Sequence, residues 1–448
     1  MKPVLLWSDL LFFLLVLICI GGAWWARRSP PLAAAWRQVG SSRAAVAAAT
    51  LLLCFVVVAL LDSVHYRERL SQEPGEAVQY SVEVLSALDA VMARQRTQTE
   101  KTYSAPLATH LFAKESRVDG QGREFPRLKF GGAHLDDPAQ IDADIREHAM
   151  LGLVAGLSLW GLMAFVVRRY LQPRAPWFAW NALIWTLAGL LVTAGVLLAL
   201  TPYYHVFGTD KVGNDVFYLT LKSIRTALMI GTLTTLAMLP AALLLGILAG
   251  YKGGWIDDVI QYVYTVLNSI PGVLLIAAAI LMMQVVIDSH PDWFSTAAER
   301  ADARLLSLCL IMGVTSWTGL CRLLRAETLK LRELEFVQAA QAFGVSSFSI
   351  MARHILPNVM HIVMISVVMD FSGLVLAEAV LSYVGIGVDP STISFGTMIN
   401  AARMELAREP MVWWSLIAAF CFMFVLVLAA NLFADAVRDA FDPRGRAA

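Results

Sequence analysis

The chain has 448 residues, 58% of them hydrophobic and 16% charged, and its 35 basic and 35 acidic side chains balance to a formal net charge of zero. Soluble domains usually carry about 25% charged residues, so this composition, with a mean hydropathy of +0.62, marks a polytopic membrane protein. The balanced charge gives no support for nucleic-acid binding. Cys19, Cys54, Cys309, Cys321 and Cys421 all lie in apolar stretches without metal-ligand spacing, so neither a disulfide framework nor a metal site is expected.

Apolar runs long enough, or nearly so, to cross a bilayer occur at 10–26, 44–61, 149–167, 178–200, 226–250, 259–287, 304–321, 359–381 and 411–432, about nine in all. The expected fold class is therefore all-α, a polytopic integral membrane protein. Orientation follows from the arginine-rich linkers, because short basic linkers stay in the cytoplasm. Arg27, Arg28, Arg37 and Arg43 share one such linker, Arg168, Arg169 and Arg174 another, and Arg322, Arg325, Lys330 and Arg332 a third. Alternation then places the N-terminus and 62–148 outside, and the 251–258 turn, the 335–358 loop and the C-terminus inside. Lys2 ahead of an apolar run has the look of a cleaved leader, but Asp9, the lack of a small-x-small site and Arg27-Arg28 favour a retained span.

Taken in order, residues 1–61 hold two spans, 62–148 form a polar extracytoplasmic insert, 149–200 hold two more spans, and 201–445 form a C-terminal core. The insert has turn-forming pieces at Asp119-Gly120-Gln121-Gly122 and Gly131-Gly132. A helix is predicted over 76–100, where Val78, Val82, Val84, Leu85, Leu88 and Val91 make a partial apolar stripe. His65, His110, His134 and His148 are scattered without ligand spacing and read as solvated or hydrogen-bonded side chains.

After the fourth span comes Phe207-Gly208-Thr209-Asp210-Lys211-Val212-Gly213-Asn214-Asp215-Val216, a turn rich in helix-capping residues. Gly231, Pro240 and Gly246 in the fifth span favour bending or close approach. Ala249 to Asp257 form a glycine-rich turn, and Ser269-Ile270-Pro271 follow. Between the seventh and eighth spans, residues 331–343 are good helix formers, Gly344 suits a left-handed helix end, and Ser346 or Ser347 can cap a second short helix that stops before Pro357. Ala339 and Ala340 allow close approach of a partner, and Phe343, Phe348 and Ile350 are candidate anchors. From spacing alone this loop is either a docking surface or a hairpin that only ties two spans together. In the eighth span Asp370 and Glu378 lie eight residues apart, about 80° around a helix, and an ionisable side chain at that depth marks either a translocation path or a structural pairing.

The 335–358 loop, the 207–216 turn, and the segments 249–257, 269–271, 378–388 and 438–444 together resemble the permease subunits of ABC importers of the dipeptide/oligopeptide type, over about 201–445. The resemblance implies a type I ABC importer permease core. It implies an ATPase-coupling loop at 331–358, with Gln338, Ala339, Ala340, Gly344 and Pro357 at the motif positions, and a periplasmic motif of Gly208, Thr209, Asp210, Gly213 and Asp215. It further implies a second homologous permease, one or two ABC ATPase subunits and an extracytoplasmic solute-binding protein as partners, in the lipid bilayer of a bacterial inner membrane, with a peptide as substrate. Asn214, Tyr218-Leu219, Gln338 and Phe395 depart from the family pattern, and residues 1–150 exceed its usual plan. Nickel or a peptide-like metabolite is the nearest alternative substrate; an ion-coupled transporter and a membrane sensor are further rivals. No Gly-x-x-x-x-Gly-Lys-[Ser/Thr] sequence is present. The chain is thus expected to hold no cofactor and no catalytic residue, and ATP with Mg²⁺ belongs to the partner ATPase.

Overall fold

A computed structural model describes residues 2–70, 79–116, 122–137, 140–294 and 296–441. The chain begins with β1 (Lys2–Val4), α1 (Trp7–Ala26), α2 (Pro30–Ser41) and α3 (Arg43–Asp62). The polar stretch carries β2 (His65–Arg67), β3 (Leu85–Ser86), α4 (Ala87–Val91), α5 (Ala93–Thr97), β4 (Glu115–Ser116) and β5 (Arg123–Glu124). Then follow α6 (Ile141–Val166), α7 (Trp180–Leu200), α8 (Val216–Lys252), α9 (Gly254–Ser269), α10 (Gly272–Ser289), α11 (Ala297–Ser316) and α12 (Thr318–Arg332). The last are α13 (Glu335–Ala342), α14 (Ser347–Ile350), α15 (Leu356–Val384), α16 (Phe395–Arg403) and α17 (Trp414–Phe441). Among the described residues, nine helical stretches are long and apolar enough to cross a membrane, in the order the sequence predicts.

The structure departs from expectation in three places. No helix covers 76–100: 71–78 lie outside the described residues, Leu85–Ser86 pair with His65–Tyr66 as a strand, and the helices there span only Ala87–Val91 and Ala93–Thr97. Ser86 ends the strand by accepting a hydrogen bond from Asp89 N–H at 3.1 Å while its own N–H bonds the Asp89 carboxylate, a capping box. The apolar run 259–287 is likewise broken, into α9 and α10, because Pro271 has no N–H and Ile270 before it is extended, with φ −92° and ψ 132°. Finally, the helix after Ser346 does not stop before Pro357. A π-helical turn at Met351–Ile355 leads directly into α15, whose first turn tolerates the proline.

Contacts divide the chain into two compact units, one built mainly from Arg37–Ala227 and Ile393–Leu432, the other from Leu6–Trp36, Leu228–Thr392 and the C-terminal end. In the first, α6 and α7 pack backbone to backbone. A Cβ on Gly152 would lie 2.5 Å from the Gly195 carbonyl and one on Gly156 would lie 2.6 Å from that of Leu191, so only glycine permits this approach. The three-stranded antiparallel sheet β1-β2-β3 belongs to the same unit. Lys222 near the start of α8 bonds both Asp89 carboxylate oxygens, at 2.8 and 2.9 Å, fixing α4 against α8.

In the second unit α10 packs on α11 and α12 on α15, and Ser8 of α1 donates its backbone N–H to Asp302 of α11 at 3.2 Å. The core there gathers Leu324, Val337, Ile350, Ile355 and Val359. Asp257 of α9 accepts two hydrogen bonds from Arg325, at 2.5 and 2.7 Å, which clamps α9 onto α12. Cys309 and Cys321 are buried, and Cys19, Cys54 and Cys421 are exposed, all as free thiols.

Candidate functional site

The 331–358 loop is a helix, a reversal and a second helix. α13 ends in a Schellman motif: Gly344, at φ +76°, donates its N–H to Gln341 O at 2.9 Å, and Val345 donates to Ala340 O at 3.1 Å. Ser346 caps the next helix by accepting from Ser349 N–H at 3.4 Å. Val337 and Ile350, both 0% exposed, hold the two helices on the core from either side of the turn. Lys252 to Ser347 at 3.0 Å and Gln341 to the Tyr251 hydroxyl at 3.3 Å tie the loop to the end of α8.

This inward grip leaves a defined outer surface. Phe343 is 87% and Phe348 75% exposed, with Leu334, Phe336 and Val345 also exposed. Gln338, Ala339, Gly344 and Pro357 are exposed as well, whereas Ala340 is turned into the core. Ile350, expected as an anchor for a partner, serves instead as an internal one: two residues after Phe348 on the same helical turn, it faces the core while Phe348 faces out. The loop therefore presents two exposed aromatic side chains, on a backbone held to the core, beside small residues, a combination suited to insertion into a groove.

The 207–216 turn is built differently, since each motif residue is consumed by internal bonding. Asp210 accepts from the N–H groups of Val212 at 2.9 Å and Asn214 at 2.8 Å, closing the turn. Asn214 donates its side-chain N–H to the other Asp210 oxygen at 3.2 Å, so the residue that departs from the family pattern stays within the turn. Asp215 caps α8 by accepting from Tyr218 N–H at 3.1 Å. Thr209 accepts from Ser104 N–H at 2.7 Å and donates to Thr102 O at 2.9 Å, and its carbonyl receives the Trp414 indole N–H at 2.9 Å. Gly208 and Gly213 have φ of +71° and +84°, and a Cβ on them would stand 2.4 Å from Ser104 O and 1.9 Å from Glu100 O.

Two residues that sequence reasoning passed over complete this arrangement. His205, 4% exposed, lies 2.8 Å from Asp215 through Nδ1 and 3.5 Å from Glu100 through Nε2. Burial alone would lower the imidazole pKa, but the Asp215 and Glu100 carboxylates raise it to about 9. Burial likewise opposes ionisation of Glu100, and the nearby His205 imidazole together with hydrogen bonds from the N–H groups of Lys129, Phe130 and Gly131 overcomes it, bringing the value down to about 2. Nothing in the local sequence signals this, because Glu100 meets its partners about 30 and about 105 positions away.

Within the span Ser347–Val384, Glu378 is 1% exposed and accepts the Ser382 hydroxyl at 2.6 Å, a buried and bonded position. Asp370 is half-buried and has no hydrogen-bond or ion-pair partner among the described residues. The described residues hold no group of three His, Cys, Asp or Glu side chains placed to bind a metal ion.

A family model described as the binding-protein-dependent transport system inner membrane component matches residues 242–447. The chain is 31% identical over 297 residues to the oligopeptide transport system permease protein OppC of Mycobacterium tuberculosis, covering 63% of this chain and 94% of that one. It is 32% identical over 240 residues to the dipeptide transport system permease protein DppC of Lactococcus lactis, covering 54% of this chain and 64% of that one. A solved structure of the MetNI methionine ABC transporter covers 50% of this chain and 97% of its own at 15% identity, with a TM-score of 0.37.

Proposed function

The chain belongs to the family of binding-protein-dependent transport system inner membrane components, and we propose that it is the membrane-spanning subunit through which di- or oligopeptides enter the cell in an ATP-driven importer. It is a multi-pass inner-membrane permease. In this reading a solute-binding protein delivers the peptide at the outer face, a second related permease completes the path, and one or two ABC ATPases dock on the 331–358 loop. ATP and Mg²⁺ are bound by those ATPases, and this chain supplies no catalytic group.

The observation that carries the reading is the loop itself. A free-swinging hairpin transmits no displacement, whereas this one is fixed to the core by Val337 and Ile350 and exposes Phe343 and Phe348. Force applied to the exposed face passes directly to α12 and α15. The peptide assignment is supported by relatives named for oligopeptide and dipeptide transport. Ser104 and Glu100 of the 62–148 insert bond Thr209 and His205 around the 207–216 turn, which suits a fixed outer platform for the binding protein or the second permease.

The test is purification of this chain from its native membrane in mild detergent, with mass spectrometry of what accompanies it and peptide uptake measured in the same strain with and without the chain. Recovery of an ABC ATPase and a second permease in comparable amount, with loss of peptide uptake on deletion, is expected. Recovery of this chain alone after crosslinking, or unchanged peptide uptake on deletion, overturns the reading.

A further inference from the structure

We propose that Asp370 is the carboxylate that receives the ammonium group of the substrate partway through the membrane. The inference rests on the permease reading above and deepens it. Asp370 lies 14 residues from either end of α15, which at about 1.5 Å per residue places it some 21 Å from both, at the middle of α15 and well inside the span Ser347–Val384. On one side of α15, Phe371 and Val375 close against Gly231 of α8, and Glu378 is buried with its hydroxyl partner Ser382. The other side carries exposed Met369, Leu376 and Val380, with Gly373 opening onto free space, and Asp370 stands at the edge of that face.

A carboxylate in that position has two possible surroundings. Facing lipid, it is strongly disfavoured, because hydrocarbon offers neither a counter-charge nor a hydrogen-bond donor. Facing a polar passage, it is hydrated at rest and available to a cation that carries donors. The eight-residue separation from Glu378 explains why the two acids differ: about 80° of rotation around the helix carries one into the packed side and the other to its open edge.

The chemistry of the site selects the cation. A divalent metal ion calls for six or more oxygen ligands or several imidazole and thiolate groups, and no such group is assembled among the described residues. A single carboxylate is matched to a primary ammonium, which needs one charge-assisted partner while water satisfies its other donors. Unmodified peptides carry such a group at the N-terminus, a secondary ammonium where proline comes first, independent of their other side chains. Asp370 thereby provides recognition that is general for peptides and blind to sequence.

The experiment uses the whole importer in membranes and compares two forms of one peptide, with a free and with an acetylated N-terminus, at saturating concentrations of loaded binding protein. Three forms of the chain are compared: wild type, Asp370→Asn and Asp370→Glu, each normalised to assembled complex. The expected result is that Asp370→Asn slows the free-amine peptide roughly tenfold while leaving the acetylated one near its wild-type rate, and that Asp370→Glu restores the preference. Equal slowing of both peptides, or no change in either, overturns the proposal while leaving peptide transport intact. Transport of neither peptide by the wild-type complex removes the peptide reading itself, and this proposal with it.

Discussion

Asp215 accepts a hydrogen bond from Nδ1 of His205 at 2.8 Å while its second oxygen caps α8 through Tyr218 N–H at 3.1 Å. One carboxylate thus joins the turn before a membrane helix to the helix itself. Through the other imidazole nitrogen the same connection reaches Glu100, and through Glu100 the backbone of Lys129 to Gly131.

This linkage has a pH signature. The His205 pKa is raised from its ordinary 6.5 to about 9, so its stabilisation is complete below about 6.5 and is lost as pH rises through about 9. Glu100, lowered from 4.5 to about 2, acts in the opposite sense: its contribution is present above about 4.5 and disappears as pH falls through about 2. Thermal unfolding of the purified protein between pH 6.5 and 9 should show a falling midpoint, and His205→Gln should abolish that slope. The variant should also cost about 3–5 kcal/mol, since it leaves two buried carboxylates without their cation.

The glycines of the turn should differ sharply from the glycine of the loop. Gly213→Ala places a methyl group 1.9 Å from Glu100 O, so the turn cannot form around it and the yield of folded protein should collapse. Gly344→Ala meets nothing within 4 Å and bears only the strain of a left-handed backbone, about 1–2 kcal/mol. Size-exclusion profiles of the two variants in detergent check the contrast.

The α6–α7 contact should tolerate no side chain. Gly156→Leu drives a side chain into the Leu191 carbonyl at 2.6 Å, and the two helices must separate. Crosslinking of cysteine pairs placed across this interface should fail in the variant and succeed in the parent.

Much of this was legible in the sequence and some was not. The spans could be read because a bilayer demands a fixed length of apolar chain, and the helix end at Gly344 because only a residue without Cβ adopts that backbone readily. The break at Ile270–Pro271 is written there too, in Asn268, Ser269 and the proline itself, within a run apolar enough on average to pass for one span. What stayed hidden depends on distance along the chain. Glu100 and His205 are more than a hundred residues apart, and no local pattern announces that they meet. The different fates of Asp370 and Glu378 follow from helix rotation and neighbouring packing, which spacing alone leaves open.

Ala340 sharpens one distinction. It is buried in the core with Val337 and Ile350, so Ala340→Glu should damage the loop from within and lower the amount of folded chain recovered. Changes at Phe343 alter only the outer surface and should leave the amount of folded chain unchanged while weakening recovery of the ATPase.

The most direct measurement is therefore ATP hydrolysis by the complete complex, stimulated by substrate-loaded binding protein, with Phe343→Asp and Phe348→Asp combined in this chain. Both side chains are exposed, so their replacement leaves the fold intact. Loss of stimulation and of transport, with the chain still inserted and monodisperse, is the expected result. Undiminished stimulation and transport would contradict the docking role of the 331–358 loop.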